Sequence, residues 1–140
     1  MPPSAADMRR VIISQHAGLR EGLAAVQRLC AAGRAGHDVD LALAGAIDAA
    51  RRAFELHNRT EEALLQPLLA ASSGAAAARV ERMLEEHQAE HLLLRSALSA
   101  PDAELMTRFD DLAEEILAHM DAEERTFLHP HSLGMLDEAH

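Results

Sequence analysis

Aromatic side chains are almost missing from this chain of 140 residues. It has no Trp, no Tyr and three Phe, namely Phe54, Phe109 and Phe127. Apolar residues nevertheless make up 49% of the sequence, enough for one hydrophobic core in a chain the size of one domain. That core must therefore be built from Leu, Ala, Ile, Val and Met.

Cysteine and long uncharged stretches are scarce as well. A single cysteine, Cys30, cannot form an internal disulfide, and it excludes thiolate zinc sites and iron–sulfur clusters. Residues 1–10 lack the basic and then apolar layout of a secretory signal, and no window of 18 residues is free of charge. We therefore expect a cytoplasmic protein with no membrane span.

Positive charge is in the minority. The 13 Lys and Arg residues stand against 23 Asp and Glu residues, so the formal net charge is −10. A nucleic-acid binder needs a basic face to neutralise phosphates, and an anionic membrane would be repelled. The sequence thus predicts neither a nucleic-acid partner nor a membrane partner. What it has in abundance is histidine, with nine residues.

The apolar residues recur with helical spacing in four stretches, and no alternating strand pattern occurs. We predict helices over about Ser4 to Ala32, Asp38 or Asp40 to Ala70, Ala75 to Leu98, and Pro101 or Asp102 to a point before Pro130. Short connections make successive helices antiparallel neighbours. The predicted fold is therefore an all-α, up-down-up-down four-helix bundle: a single domain over residues 1–140, with 129–140 as a C-terminal tail.

Local signals mark the ends of these helices. Ser4 and Ser99 are candidate N-caps, and the Gly-rich segment 32–38 breaks the first helix from the second. Pro67 is expected to kink or end the second helix, because proline removes a backbone donor and clashes with the preceding turn. Ser72, Ser73 and Gly74 then separate it from the third.

Each helix carries an apolar stripe, and histidine interrupts every stripe. The polar interruptions are His16 in the first helix, His57 and Glu61 in the second, His87 and His91 in the third, and His119 and Glu123 in the fourth. Residues four apart lie on one helix face, so the pairs converge. Burying seven such groups unpaired would be costly, and coordination of a cation removes that cost.

Two residues on successive antiparallel helices lie at the same level of the bundle when they are equally many residues away from the connection between those helices. The predicted ligands meet this condition at two of the three connections. His16 and His57 lie about equally far from the first break, and so do Glu61 and His87 from the second. The third connection fits poorly, since His91 is seven residues before Leu98 whereas His119 is 17 after Asp102. The difference is about 15 Å at helical rise. Either the connection is longer than predicted or the fourth helix projects past the third.

Several other motifs are excluded by the residues between the histidines. HQAEH has Gln88 where a zinc protease needs Glu, and no Glu has a His three residues later, as ferritin-like di-iron bundles require. The sequence has no P-loop, dinucleotide-binding fingerprint or serine nucleophile elbow.

The remaining pattern resembles the hemerythrin and HHE cation-binding family. That family has a lone His on the first helix, HxxxE on the second, HxxxH on the third, and His with a carboxylate on the fourth. The corresponding segments here are His16, HNRTE from His57 to Glu61, HQAEH from His87 to His91, and HMDAEE from His119 to Glu124. The resemblance covers nearly the whole chain.

The resemblance implies a non-heme centre of two iron ions with a bridging oxo or hydroxo group. The implied ligands are His87, His91 and His119 on one iron, His16 and His57 on the other, and Glu61 with the fourth-helix carboxylate bridging both. The iron with two histidines is one ligand short. Its open position would bind dioxygen, nitric oxide or peroxide.

The fourth-helix carboxylate has two candidates, because Glu123 follows His119 by four residues and Glu124 by five. Regular helix geometry favours Glu123, whereas Glu124 would need local unwinding or a π-bulge. Phe54 and Leu84, each one turn from a predicted ligand, are expected to wall a dry pocket. His37, His129, His131 and His140 are expected to be solvent-exposed.

We therefore expect a carrier or sensor of a small ligand. The alternatives are a di-iron enzyme with catalase-like or nitric-oxide-reducing activity, an iron-handling or regulatory protein, and a metal-free interaction bundle. The sequence identifies no protein partner and no oligomeric state.

Overall fold

The computed structural model describes residues 5–71 and 74–125, and every regular element within these ranges is an α-helix. The helices are α1 (Ala5–Arg34), α2 (Asp40–Ala71), α3 (Gly74–Leu98) and α4 (Asp102–Arg125). The predicted all-α four-helix bundle is confirmed. The predicted Ser4 cap, Phe127 and the C-terminal segment 129–140 lie outside the described residues.

The turn after α1 is a Schellman motif, in which a residue with positive φ ends the helix. Gly36 has φ of +96°. The N–H of His37 donates to the carbonyl of Ala32 at 3.0 Å, and that of Gly36 to the carbonyl of Gly33 at 3.1 Å. Only glycine adopts this φ without strain, so the chain reverses here into α2.

Proline does not end α2. The helix continues past Pro67 to Ala71, one residue beyond the predicted end at Ala70, so of the two expected effects of Pro67, a kink or an end, the end does not occur. A proline removes one backbone hydrogen bond from a helix. Pro67 lies near the C-terminus of α2, so only about one more turn of the helix follows the lost hydrogen bond. A kink at Pro67 stays a prediction.

The connection from α3 to α4 differs from the prediction at Ser99. The Ser99 hydroxyl donates to the carbonyl of Arg95 at 2.9 Å, so it bonds to the end of α3 and does not cap α4. The carbonyl of Pro101 accepts from the N–H groups of Glu104 and Leu105, both at 3.0 Å, and therefore begins α4.

Helix α4 projects past the end of α3. The guanidinium of Arg51, eleven residues after the first residue of α2, donates to the carbonyls of Leu98 at 2.5 Å and Ala100 at 2.8 Å. Arg34, at the end of α1, donates to the carbonyl of Met106 at 3.2 Å. Thus α3 stops about a third of the way along α2 from the α1–α2 turn, whereas the first turns of α4 lie beside the C-terminal end of α1, next to that turn. This stagger accounts for the mismatch of heights between His91 and His119.

The hydrophobic core fills the bundle between the α1–α2 turn and the polar residues. Phe54 and Phe109 are its largest side chains, and aliphatic residues with the buried, free Cys30 supply most of the rest. The core therefore fixes the helices on one side of the histidine cluster. Among residues 5–71 and 74–125, no helix has an apolar stretch long enough to cross a membrane.

Because Arg51 holds the end of α3, we expect Arg51→Met to lower the free energy of unfolding by roughly 1–2 kcal/mol. The Arg51 side chain is partly exposed, which weakens its hydrogen bonds to the carbonyls of Leu98 and Ala100. Arg52→Met is the matched control. Arg52 is exposed and pairs only with Asp48 of its own helix among the contacts described, so its loss should cost about 0.5 kcal/mol or less. Chemical denaturation of the two variants measures this, and equal losses would contradict the role of Arg51.

Candidate metal centre

All seven predicted ligand residues lie buried at one level of the bundle, and each of the four helices contributes to the cluster. None is more than 5% exposed. Helix α1 supplies His16, α2 supplies His57 and Glu61, α3 supplies His87 and His91, and α4 supplies His119 and Glu123. The spacing of four residues thus places each pair on one inward face, as the sequence predicts.

The ligand atoms of these residues form two overlapping groups, in each of which they lie within 4.8 Å of one another. One group contains Glu61, His87, His91, His119 and Glu123, and the other contains His16, His57, Glu61 and Glu123. The two carboxylates belong to both groups. The cluster is therefore a pair of adjacent sites, one with three imidazoles and the other with two.

The carboxylate of Glu61 divides its two oxygens between the sites. Its Oε1 lies 2.7 Å from Nε2 of His57 and 3.5 Å from Nε2 of His16. Its Oε2 contacts Nε2 of His87 and lies 3.3 Å from Nε2 of His91. Each oxygen of this carboxylate thus faces a different group of histidines.

Glu123 also spans both groups of histidines. Its Oε1 lies 3.1 Å from Nε2 of His119, 3.4 Å from Nε2 of His57 and 3.6 Å from Nε2 of His16. Its Oε2 lies 3.4 Å from Nε2 of His87. The second carboxylate therefore faces the same two sites from the opposite helix.

These close approaches are not a satisfied hydrogen-bond network. Within the described part of the chain, neither oxygen of Glu61 has a hydrogen-bond partner, although imidazole nitrogens surround it. The Nε2 atoms of His91 and His119 also face each other at 3.0 Å. Leaving a buried polar group without a partner costs about 1–3 kcal/mol.

A cation between these atoms resolves the conflict. Metal–nitrogen and metal–oxygen bonds are about 2.0–2.2 Å long, so two ligands at right angles on one ion are about 3 Å apart. The separations of 2.7–3.6 Å in the cluster agree with that spacing. Imidazole and carboxylate are, moreover, ligands for first-row transition metals. The residues present therefore fit a pair of metal ions.

Without a metal, the carboxylates and imidazoles perturb one another. Burial lowers the pKa of His16, but the carboxylates of Glu123 and Glu61 outweigh it and raise that pKa to about 9. Burial raises the pKa of Glu61, but the surrounding imidazoles reverse this and hold it well below its usual range. The pKa of His91 is lowered, first by burial and also by the neighbouring imidazoles of His87 and His119. The surrounding imidazoles thus favour the charged form of the Glu61 carboxylate, which is the form that binds a cation.

The structure separates the two candidate carboxylates of α4. Glu123 points into the cluster and is 3% exposed. Glu124 is 25% exposed at its side chain, accepts a hydrogen bond from Arg20 at 2.6 Å, and lies 3.6 Å from Nδ1 of His16, on the outer edge of that ring. Helix α4 is α-helical from Asp102 to Arg125, so no bulge turns Glu124 inward.

Two polar residues were missed by the sequence reasoning: Glu90, which contacts the cluster, and Asn58, which is buried. Oε1 of Glu90 lies 2.8 Å from Nδ1 of His119, a contact between helices that no spacing within one helix reveals. Asn58 is 1% exposed, and its side-chain atoms have no hydrogen-bond partner among the described residues. Its position four residues after the buried Phe54 is the signal that could have identified it.

An aromatic wall covers the cluster on the core side. The Phe54 ring meets His91 edge-on, with centroids 5.7 Å apart, and lies 6.4 Å from His57. Leu84, the other expected wall residue, is also buried. His37 is exposed in the α1–α2 turn, as expected, whereas His129, His131 and His140 lie outside the described residues.

The placement of the two α4 carboxylates predicts unequal effects on metal binding. Glu123→Ala should lose at least one bound metal ion per chain, because it removes an oxygen shared by both sites. Glu124→Ala should keep the full complement, since only its contacts with Arg20 and the outer edge of His16 are lost. Elemental analysis after dialysis measures the number of metal ions per chain. A larger loss of metal in Glu124→Ala than in Glu123→Ala would contradict this assignment.

Comparison with known families agrees with this geometry. The model of the hemerythrin HHE cation-binding domain matches residues 7–129, which include all seven clustered residues. No curated protein and no solved structure matches the chain significantly. With a family match across most of its length and a buried His/Glu cluster suited to metal, this chain belongs to the hemerythrin HHE cation-binding domain family.

Proposed function

We propose that the protein holds two iron ions and binds a small ligand at one of them, as a carrier or sensor of dioxygen, nitric oxide or peroxide. The observation that carries this proposal is the asymmetry of the cluster. Three imidazoles lie on one side of the shared carboxylates Glu61 and Glu123, and two lie on the other.

The asymmetry supports one open coordination position. On the crowded side, His87, His91 and His119 offer three nitrogens beside the two carboxylates. On the other side, His16 and His57 offer two nitrogens beside the same carboxylates. The second side therefore supplies one protein ligand fewer. An iron pair, when bound, supplies exchangeable electrons and a position to which an external ligand attaches.

The chain's own residues would hold the two ions in a dry, fixed setting. Glu61 and Glu123 each direct oxygens to both sites, which keeps the ions adjacent. The edge of Phe54 packs on His91 and excludes water from the core side. Two carboxylates would leave a net charge of +2 on a pair of divalent ions, which favours ligands able to carry negative charge.

The composition of the centre is tested by loading the purified protein with ferrous iron in air. We expect two irons per chain and an oxo-to-iron charge-transfer band in the near ultraviolet. His57→Ala should weaken the band, because it removes one of the two imidazoles at the open side. Wild-type protein without two irons, or without the band, would contradict the proposal.

Reversible binding is distinguished from catalysis by adding nitric oxide, dioxygen or peroxide to the loaded protein. A carrier or sensor gives a spectral change that reverses when the ligand is removed. Sustained oxygen release from peroxide that His57→Ala abolishes would instead assign the same open position to an enzyme, overturning the carrier or sensor proposal.

Metal should also stabilise the bundle, because bound ions satisfy its buried polar groups. At a free metal concentration a hundred times Kd, the gain is about 2.7 kcal/mol, or roughly 5–10 °C in Tm for a domain of this size. Thermal unfolding of holo-protein and chelated protein measures the difference. Identical Tm values would show that the cluster is satisfied without a cation.

A further inference from the structure

A solvent-open groove runs between α3 and α4 and reaches the metal cluster at His119. It has a volume of about 360 Å³. Glu90 and Leu93 line it from α3, and Glu115 and His119 line it from α4. The outer edge of the His119 ring therefore faces a groove, whereas its inner edge faces the other ligands.

Glu90 occupies the side of the groove next to that ring. Its Oε1 lies 2.8 Å from Nδ1 of His119, a hydrogen-bond distance, and its side chain is 52% exposed. A carboxylate accepts and does not donate, so Nδ1 of His119 carries the proton in this contact. Nε2, on the other side of the ring, faces the cluster, where it lies 3.1 Å from Oε1 of Glu123 and 3.0 Å from Nε2 of His91. With the proton held at Nδ1, a cation between these atoms would be bound by the lone pair of Nε2.

Other histidines of the cluster are held differently. Nδ1 of His57 and Nδ1 of His91 have no hydrogen-bond partner among the described residues, so packing must fix those rings. Phe54 supplies such packing, because its ring contacts both. His119 has an open groove on its outer side, and a carboxylate stands there in place of a packed wall.

We propose that Glu90 is a positioning residue for the three-histidine side of the metal centre. It fixes the tautomer and the rotation of His119 so that Nε2 is available to a cation. Carboxylates that accept from the outer nitrogen of a metal-bound imidazole generally act in this way. The inference rests on the proposed metal pair, and it adds a residue that the family's ligand pattern does not contain.

The loss of Glu90 should therefore weaken one site more than the other. Without the acceptor, the ring can rotate towards the groove or place its proton on Nε2, and either change withdraws a ligand from the three-histidine side. His16 and His57 do not contact Glu90 in the described contacts, so the two-histidine side should keep its affinity.

The test uses Co²⁺ as the probe, because its visible absorption reports the ligands around it. Titration in competition with a chelator gives the affinity of each binding step for the wild type and three variants. Glu90→Ala should weaken one step by roughly 10- to 100-fold and change its absorption bands. Glu90→Gln should recover most of that affinity, since its amide oxygen still accepts a hydrogen bond.

Glu115→Ala is the matched control. It removes the same charge from the same groove, but Glu115 makes no described contact with His119, so both binding steps should stay at the wild-type values. Equal weakening by Glu90→Ala and Glu115→Ala would overturn the proposal in favour of a general charge effect. Wild-type affinities in Glu90→Ala would overturn it as well.

Two further readouts separate this proposal from its premises. The helical circular dichroism of the metal-free variants should match that of the wild type, because Glu90 is half-exposed. If Glu90→Ala unfolds, the affinities of Glu90→Gln are compared with those of the wild type instead. A loss of affinity in Glu90→Gln as large as that expected for a missing metal ligand would contradict the positioning role of Glu90. A wild type that binds one Co²⁺ refutes the metal pair, and Glu90→Ala is then judged on that ion.

Discussion

The burial of five imidazoles and two carboxylates between four helices is the constraint on which the rest of this structure depends. Their nitrogen and oxygen atoms approach to 2.7–3.6 Å, yet the Glu61 oxygens lack hydrogen bonds among the described residues. Burying such groups is unfavourable unless something positive lies between them. The proposed pair of cations, shared by Glu61 and Glu123, would meet that requirement.

The stagger of α3 and α4 is part of this arrangement. If α4 ran back directly beside α3, His119 would lie about 15 Å from the level of His91. Arg51 instead holds the end of α3 part of the way along α2, and α4 starts near the end of α1. As a result α3 and α4 do not pair along the first turns of α4, and the Nε2 atoms of His91 and His119 lie 3.0 Å apart.

The sequence predicts the parts of this account that depend on contacts within one helix. Apolar spacing locates the four helices, and spacing of four residues places His57 with Glu61, and His119 with Glu123, on inward faces. Contacts between helices are not encoded in that way. The contact of the His119 ring with the Glu90 carboxylate and the anchoring of α3 by Arg51 both join distant segments, so periodicity could not reveal them. The predicted N-cap at Ser99 is wrong because its hydroxyl donates to a carbonyl of the preceding helix instead of capping the next one.

The proposed metal centre has two ions that share the carboxylates of Glu61 and Glu123 inside the bundle. Anomalous diffraction at the iron absorption edge, from crystals of the iron-loaded protein, tests it most directly. We expect two peaks about 3.5–4 Å apart, one beside His16 and His57 and the other beside His87, His91 and His119. A single peak in the cluster, or iron bound only at the surface, would contradict it.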